Sequence, residues 1–468
     1  MADCRQTIHE LVARARVAQK QVEDYSQERI DDVCRGIAWQ TYKDDNIAVC
    51  AETACEETGM GNVQDKITKH KVKVLGGLRE SLGGTSVGLI EDDREAGIRK
   101  YAKPVGVVGA LTPVTNPTAT PASNALAILK GRNAVIFGPH PRAKESARVV
   151  CHFMRQGLRQ VGAPEDLIQH IAKPSLDLSQ ELMRQVDLVL ATGGQGVVRA
   201  AYSSGTPAYG VGAGNPVVII AEDADVDDAV RKIFASKTFD YATSCSSENS
   251  VVVHNDVWGR TVDAFGSHGA YMCNAEEKAT LEKWLWVPNK RGKVALNPKV
   301  VAVSAERIAA GAGISVPQGT TMLMVACKKG TSPNRWMGEK LSPVMALWPY
   351  NTFAEAVDTV RTLTEYAGQG HSCGIHTFNG GYVETLAVSL KTSRLMVRQA
   401  MAPANGGNFF NGMPSTTSLG CGTWGGNSTT ENIHWKHFIN VTWVSEPFEP
   451  VKPADEEMWG RFWKTYGK

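Results

Sequence analysis

From Pro104 to Thr238, short apolar runs alternate with amphipathic stretches, and this alternation limits the possible folds more than any other feature. The runs at 105–111, 133–137, 186–191, 208–211 and 216–221, with a weaker one at 166–171, read as strands. Stretches at 122–130, 144–160, 179–184 and 225–238 read as helices. The last of these opens on acidic residues, which suit a helix N-terminus. Strand and helix in turn at this spacing imply an α/β fold with a parallel, doubly wound sheet. Open sheets of that kind place their ligands outside the carboxyl ends of the strands.

Residues 1–80 read as helices, with Ile8, Leu11, Ala15 and Ala18 at spacings of three and four. A polar segment at 90–103 reads as an arm, and a second α/β stretch runs from Cys245 to about residue 430. At 436–444 Phe438, Asn440, Thr442 and Val444 alternate with Ile439, Val441 and Trp443, a strand isolated enough to need an arm or another subunit as partner. Beyond a linker with Pro447, Pro450 and Pro453, the tail carries Met458, Trp459, Phe462, Trp463 and Tyr466 at helical spacing. With Asp455 as cap, that face is expected to dock on its own or a neighbouring subunit.

The formal net charge of +2 makes no electrostatic case for nucleic acid. No apolar run approaches the roughly 18 residues that span a bilayer. The start, Met1-Ala2-Asp3-Cys4, has no apolar signal core, so a cytoplasmic location is expected. The 10 cysteines are scattered without a C-x-x-C pair, so neither a metal site nor a disulfide framework is indicated.

Four segments carry chemistry. Cys245 sits in Thr243-Ser244-Cys245-Ser246-Ser247-Glu248, just ahead of the apolar run from Ser250. That layout suits a nucleophile on a loop feeding a buried strand, although a buried free thiol reads the same way. Asn116, in Thr112-Pro113-Val114-Thr115-Asn116-Pro117, follows the first strand; Asn before Pro is also a plain turn signal. Thr192-Gly193-Gly194-Gln195-Gly196 links a strand to a helix and can bring backbone N–H groups to a pyrophosphate, though it is not a full G-x-G-x-x-G. Glu339, ahead of Leu341-Ser342-Pro343, reads alone as a solvated carboxylate.

In this order the segments resemble the aldehyde dehydrogenase superfamily, over about residues 5–445, and most closely its coenzyme A-acylating branch. The resemblance rests also on Gly138-Pro139-His140-Pro141-Arg142-Ala143-Lys144, Gly210-Val211-Gly212-Ala213-Gly214-Asn215, Glu339-Lys340-Leu341-Ser342-Pro343 and Gly420-Cys421-Gly422-Thr423-Trp424-Gly425-Gly426-Asn427-Ser428. It implies an α/β aldehyde dehydrogenase-like fold: a Rossmann-like dinucleotide-binding domain at 1–239 with the arm near 90–103, a catalytic domain at 240–430, an oligomerisation strand at 431–446 and a Pro-rich linker with an amphipathic tail at 447–468. It makes Cys245 the nucleophile, Asn116 the oxyanion-binding amide and Glu339 the ribose ligand. Thr112, Pro113, His140, Pro141, Arg142, Thr192, Gly193, Gly194, Gly212 and Leu341 fall at the cofactor, and Thr115 and Ser244 at the substrate. His371 matches a histidine recurrent in the acylating branch and is either structural or catalytic. Whether the cofactor is NAD or NADP stays open, because Arg142 and Lys144 also occur in NAD-using relatives. No metal is required, and a homo-oligomer, dimer or tetramer, is implied.

One departure is informative. Gly210 aligns with the glutamate general base of hydrolytic relatives. General-base help is worth about 10²–10⁴-fold, so without it a thioester on Cys245 should wait for coenzyme A. The substrate signal is thinner. Arg398 stands where acetaldehyde-type relatives carry asparagine and would pair with an anionic tail; a surface arginine in an ion pair is the alternative. Similarity over the chain leans to members acting on sulfoacetaldehyde, with succinate semialdehyde and acetaldehyde as rivals. An inactive scaffold relative is the alternative of another class, against which the intact Cys245, Asn116 and Glu339 stand.

Overall fold

The computed structural model describes residues 2–289, 292–328 and 334–468. Four helices come first: α1 (Ala2–Val22), α2 (Gln27–Tyr42), α3 (Asp44–Thr58) and α4 (Val63–Leu82). Ile8, Val12, Ala15, Ala18 and Val22 of α1 are buried in one core with the first parallel sheet, as their spacing implies. Gly59 ends α3 in a left-handed conformation (φ 68°). Asn62 then starts α4 by accepting the Asp65 N–H. A side-chain cap of this kind is worth about 1 kcal/mol and sets the phase of the helix. That phase matters for the site.

The polar segment, expected as an arm, folds as an antiparallel pair of β1 (Gly88–Asp93) and β2 (Ile98–Pro104). Next come β3 (Val107–Thr112), α5 (Ala119–Lys130), β4 (Ala134–Pro139), α6 (Lys144–Gln160), β5 (Ile168–His170), α7 (Leu176–Gln185), β6 (Leu188–Thr192), α8 (Gln195–Tyr202) and β7 (Ala208–Val211). The strands make a five-stranded parallel sheet in the order β5-β4-β3-β6-β7. The order reverses between β3 and β6, which opens a crevice at their carboxyl ends.

The next strand, β8 (Val217–Ile220), does not join this sheet. After α9 (Val226–Thr238) come β9 (Ser250–His254), β10 (Ala270–Cys273), a small hairpin of β11 (Trp286–Pro288) and β12 (Val294–Leu296), β13 (Met322–Ala326), β14 (Val344–Tyr350), β15 (Cys373–His376) and β16 (Leu395–Val397). A seven-stranded parallel sheet runs β10-β13-β14-β9-β8-β15-β16. The division expected at residue 239 therefore moves forward to between Val211 and Val217. The apolar run of β8 is buried on both faces and looks alike whichever sheet it enters.

The last strand, β17 (Ile439–Ser445), pairs antiparallel with β2 and so meets the arm, one of the two partners expected. The tail is a helix over Asp455–Tyr466 whose cap is Ala454, so Asp455 is a first-turn residue and not the cap. Docking on the chain's own body is not seen: Met458, Trp459, Phe462 and Tyr466 are 53–76% exposed. The linker explains this, since Pro447, Pro450 and Pro453 favour an extended backbone.

Candidate active site

Cys245 lies on the loop that enters β9 at its amino end, and the approach to it is strained. Asp240, Tyr241 and Ala242 all have positive φ (50°, 51° and 59°). Left-handed backbone costs an L-residue roughly 1–2 kcal/mol, so something must hold it. The hold is the Asp240 carboxylate, which is fully buried. It accepts hydrogen bonds from the Lys66 ammonium (3.2 Å), from Lys69, from the Thr243 hydroxyl (2.7 Å) and from the Asn62 N–H (3.0 Å). Burial pushes the Asp240 carboxyl up, but Lys69 and Lys66 outweigh it and hold it below the usual carboxylate range. Breaking a buried pair of this kind costs about 3–5 kcal/mol, comparable to the strain it offsets. On the far side the Cys245 carbonyl rests on bare backbone. A Cβ on Gly214 would lie 2.0 Å from the Cys245 carbonyl oxygen.

Cys245 remains partly exposed, unlike most of the other cysteines. Its thiol is nevertheless pushed up to about 12, first by burial, then by Glu339 and Cys421, with Ser246 and Arg394 opposing. The resting group is a thiol, and it needs a proton acceptor or added positive charge before it attacks.

Asn116 follows β3, and its Oδ1 accepts from Lys69 Nζ at 2.8 Å. The same ammonium donates to Thr243 Oγ1 at 2.6 Å, two residues before the nucleophile. Lys69 thus ties the amide and the nucleophile loop to one point and leaves Asn116 Nδ2 as the free end of the amide. Thr115 is half-buried beside it, and the Ser244 hydroxyl accepts the Ser246 N–H at 3.2 Å.

The remaining side of the site is built from residues just ahead of strands. Glu339 precedes β14; its carboxyl is pushed up to about 8 by burial, against Lys237, Lys340 and the Gly214 N–H, which stabilise the anion. Lys340 is enclosed and donates to the carbonyls of Asn249, Trp336 and Gly338 at 2.9–3.1 Å, which stitches the Glu339 segment to the nucleophile loop. Leu341 has φ 42°, and its carbonyl accepts the Ala302 N–H at 2.7 Å. His371 precedes β15 and is fully buried; burial and nearby Arg394 push it down to about 3, so the ring is neutral. Its Nδ1 is 2.8 Å from Ser372 Oγ, whereas Nε2 is buried without a partner.

The nucleotide crevice lies at the carboxyl ends of the five-stranded sheet. Thr112 ends β3 and Pro113 follows it, His140, Pro141 and Arg142 follow β4, and Thr192 ends β6 with Gly193 and Gly194 after it. Gly194 caps α8, and a Cβ there would meet nothing within 4 Å, so the backbone is open to a bulky anion. These features fit a dinucleotide, with the first N–H groups of α8 available to a pyrophosphate. Arg142 donates to the Thr58 carbonyl at 2.7 Å. Gly212 lies on the far side, with its N–H at the Cys421 thiol.

Arg398 is not brought to the site. It follows β16, at the carboxyl end of the sheet whose amino end carries Cys245. The side chain is exposed, donates to the Thr377 carbonyl at 2.8 Å and lies over the Phe378 ring. That placement lends no support to the substrate role expected for it. The arginine at the site is Arg394, on the other side of β16, which is buried and donates to Asn432 Oδ1 and to the carbonyls of His371 and Gly420 at 2.7–3.0 Å. Sequence reasoning also missed Lys69, Asp240 and Cys421. The only available signal was the spacing Lys66, Lys69, Lys73, which on a surface helix reads as a solvated stripe.

Comparison with known proteins points to one family. The model of the aldehyde dehydrogenase family matches residues 2–273. A sulfoacetaldehyde dehydrogenase of an Acholeplasma species is 56% identical over 96% of this chain and 93% of its own length. An acylating sulfoacetaldehyde dehydrogenase of Bilophila wadsworthia is 54% identical over 99% of this chain and 100% of its own length. The crystal structure of an acetylating aldehyde dehydrogenase from Geobacillus thermoglucosidasius superposes with a TM-score of 0.91 at 33% identity, covering 97% of this chain and 99% of that one. With a family model over more than half of it and relatives above 50% identity over nearly its whole length, the chain belongs to the aldehyde dehydrogenase family.

Proposed function

We propose that the protein is a coenzyme A-acylating aldehyde dehydrogenase that oxidises sulfoacetaldehyde, reversibly, to the coenzyme A thioester. The observation that carries the acylating reading is the packing at Gly210. A Cβ there would lie 2.6 Å from Val198 and 2.7 Å from the Tyr202 ring. A side chain at that position would force Val198 and Tyr202 to shift, and the glycine itself offers no carboxylate base. The substrate reading is supported by the two relatives above 50% identity, both of which carry sulfoacetaldehyde in their names.

In this reading the Cys245 sulfur, once deprotonated, adds to the aldehyde carbon. The developing oxyanion is held by Asn116 Nδ2 and the Cys245 N–H, and Lys69 keeps the amide turned so that its donor faces the oxygen. Thr115 and Ser244 line the substrate position. A nicotinamide dinucleotide, NAD or NADP, supplies the hydride acceptor when bound. Thr112, Pro113, His140, Pro141, Arg142, Thr192, Gly193 and Gly194 hold its nucleotide, and Glu339 with Leu341 holds the nicotinamide ribose. The thioester left on Cys245 passes to the coenzyme A thiol, which restores the Cys245 sulfur. His371, with its neutral ring and unpartnered Nε2, is the candidate to take the incoming thiol proton. The β17 edge, where Trp443 is 62% exposed, supports assembly as a dimer or tetramer. Among the described residues no helix is long and apolar enough to cross a membrane, and a cytoplasmic location is the proposal.

The test is cofactor reduction with sulfoacetaldehyde, succinate semialdehyde and acetaldehyde, each with and without coenzyme A. Sustained turnover is expected only with coenzyme A and fastest with sulfoacetaldehyde, with a single burst in its absence. Steady formation of the free acid without coenzyme A, at a comparable rate, would defeat the acylating reading.

A further inference from the structure

The substrate proposed above carries a permanent negative charge, and the site must answer it with a cation a ligand can reach. The cations around the nucleophile can be taken in turn. Lys66 and Lys69 are committed to Asp240. Lys340 is enclosed, with three carbonyls around its ammonium. Lys237 is enclosed too, within electrostatic reach of both Glu248 and Glu339. Arg394 is buried, and its donors are directed at Asn432, His371 and the Gly420 loop. That leaves Lys73.

Lys73 stands one turn beyond Lys69 on the same face of α4, because the Asn62 cap fixes the helix phase. Its ammonium donates to the carbonyls of Gly406 (2.9 Å) and Gly407 (3.4 Å). Those two contacts leave one of its three N–H donors unused. A Cβ on Gly406 would lie 2.7 Å from that ammonium, so only glycine lets the cation lie against the loop. The 401–407 segment is itself anchored beside the nucleophile, where the Met401 N–H donates to Glu248 Oε1 at 2.8 Å, three residues past Cys245. Among the described residues no carboxylate pairs with Lys73, and the side chain is half-buried. The Cys245 thiol is within electrostatic reach of it.

We infer that Lys73 is the counter-charge for the anionic tail of the aldehyde substrate and sets the preference for a sulfonated over a neutral aldehyde. This rests on the substrate reading above. A tail two bonds from the carbonyl carbon lies close to the thiol that attacks it, and the Lys73 ammonium, between α4 and the Gly406–Gly407 turn, is within electrostatic reach of that thiol. Burial and then Lys69 push the ammonium down to about 8, which leaves it mostly protonated at pH 7, and its partners are neutral carbonyls.

The experiment measures kcat/KM for sulfoacetaldehyde and acetaldehyde in the wild type, Lys73→Gln and Lys73→Arg. Lys73→Gln, which can still donate to a carbonyl, is expected to lower the sulfoacetaldehyde-to-acetaldehyde ratio by about ten- to a hundredfold, the strength of one charged hydrogen bond, with the loss in KM. Lys73→Arg is expected to restore most of that ratio. Equal losses on both aldehydes, or an unchanged ratio, overturn the inference. A wild type that prefers acetaldehyde defeats the substrate reading instead. Should the variants not fold, slowing of Cys245 alkylation by ethanesulfonate in the wild type supports the subsite, and no slowing overturns it.

Discussion

The two parallel sheets offer opposite ends to the same site. The five-stranded sheet contributes residues at and just past the ends of its strands: Thr112 to Asn116 at β3, His140 after β4, and Thr192 to Gly194 at β6. The seven-stranded sheet contributes residues just ahead of its strands: Gly214 before β8, Cys245 before β9, Glu339 before β14, His371 before β15 and Arg394 before β16. The two edges also differ in character. The carboxyl edge is open backbone, with free space around Gly194, and suits a large ligand that comes and goes. The amino edge is packed and charged, with Gly214 in contact with the nucleophile and Lys340 enclosed by carbonyls. In the proposed reaction the looser edge would take the nucleotide and the rigid edge the bond-making step.

The sharpest way to break that division is to remove the reacting atom. Cys245→Ala is expected to lower cofactor reduction by about 10⁴-fold or more while fluorescence titration still detects dinucleotide binding. Lost binding would mean that the two edges are not separable.

Next is a pair of glycines. Gly214→Ala forces the Cys245 carbonyl to move, and a displacement near 1 Å at a reacting group costs about 10²-fold; kcat is expected to fall by that much. Gly194→Ala has room, so kcat and thermal stability should hold and the dinucleotide KM should rise severalfold. Equal kcat losses would show that the carboxyl edge is as rigid as the amino edge.

A smaller effect concerns Glu339. Its carboxyl titrates near 8, so it is neutral at pH 7 and negative above pH 8, and only the anion pushes the Cys245 thiol up. Glu339→Gln should therefore leave iodoacetamide alkylation of Cys245 unchanged at pH 7 and speed it severalfold at pH 9. Superimposable pH profiles for the two proteins would remove Glu339 from the electrostatics of the thiol.

The smallest effect is expected at Arg398. Because it lies at the wrong end of β16, Arg398→Asn should change kcat/KM by less than about twofold on either aldehyde, in the range of ordinary surface substitutions. A selective loss on sulfoacetaldehyde would restore it to the substrate site and count against Lys73.

The sequence alone determined the elements and their chemistry. Periodicity is local, so 144–160 reads as a helix and 208–211 as a strand, and the structure agrees at both. The residue types of Cys245, Asn116 and Glu339 sit in recognisable short contexts for the same reason. Three things needed the tertiary structure. The sheet that β8 enters is a matter of long-range pairing, which its own four apolar residues do not encode. The edge on which a residue falls decides between Arg394 and Arg398, four positions apart on either side of one strand, and edges exist only once strands are laid side by side. The stripe of Lys66, Lys69 and Lys73 looks like a solvated helix face until Asp240, far along the chain, is buried against it. Charge reads locally, but its partner is chosen by the fold.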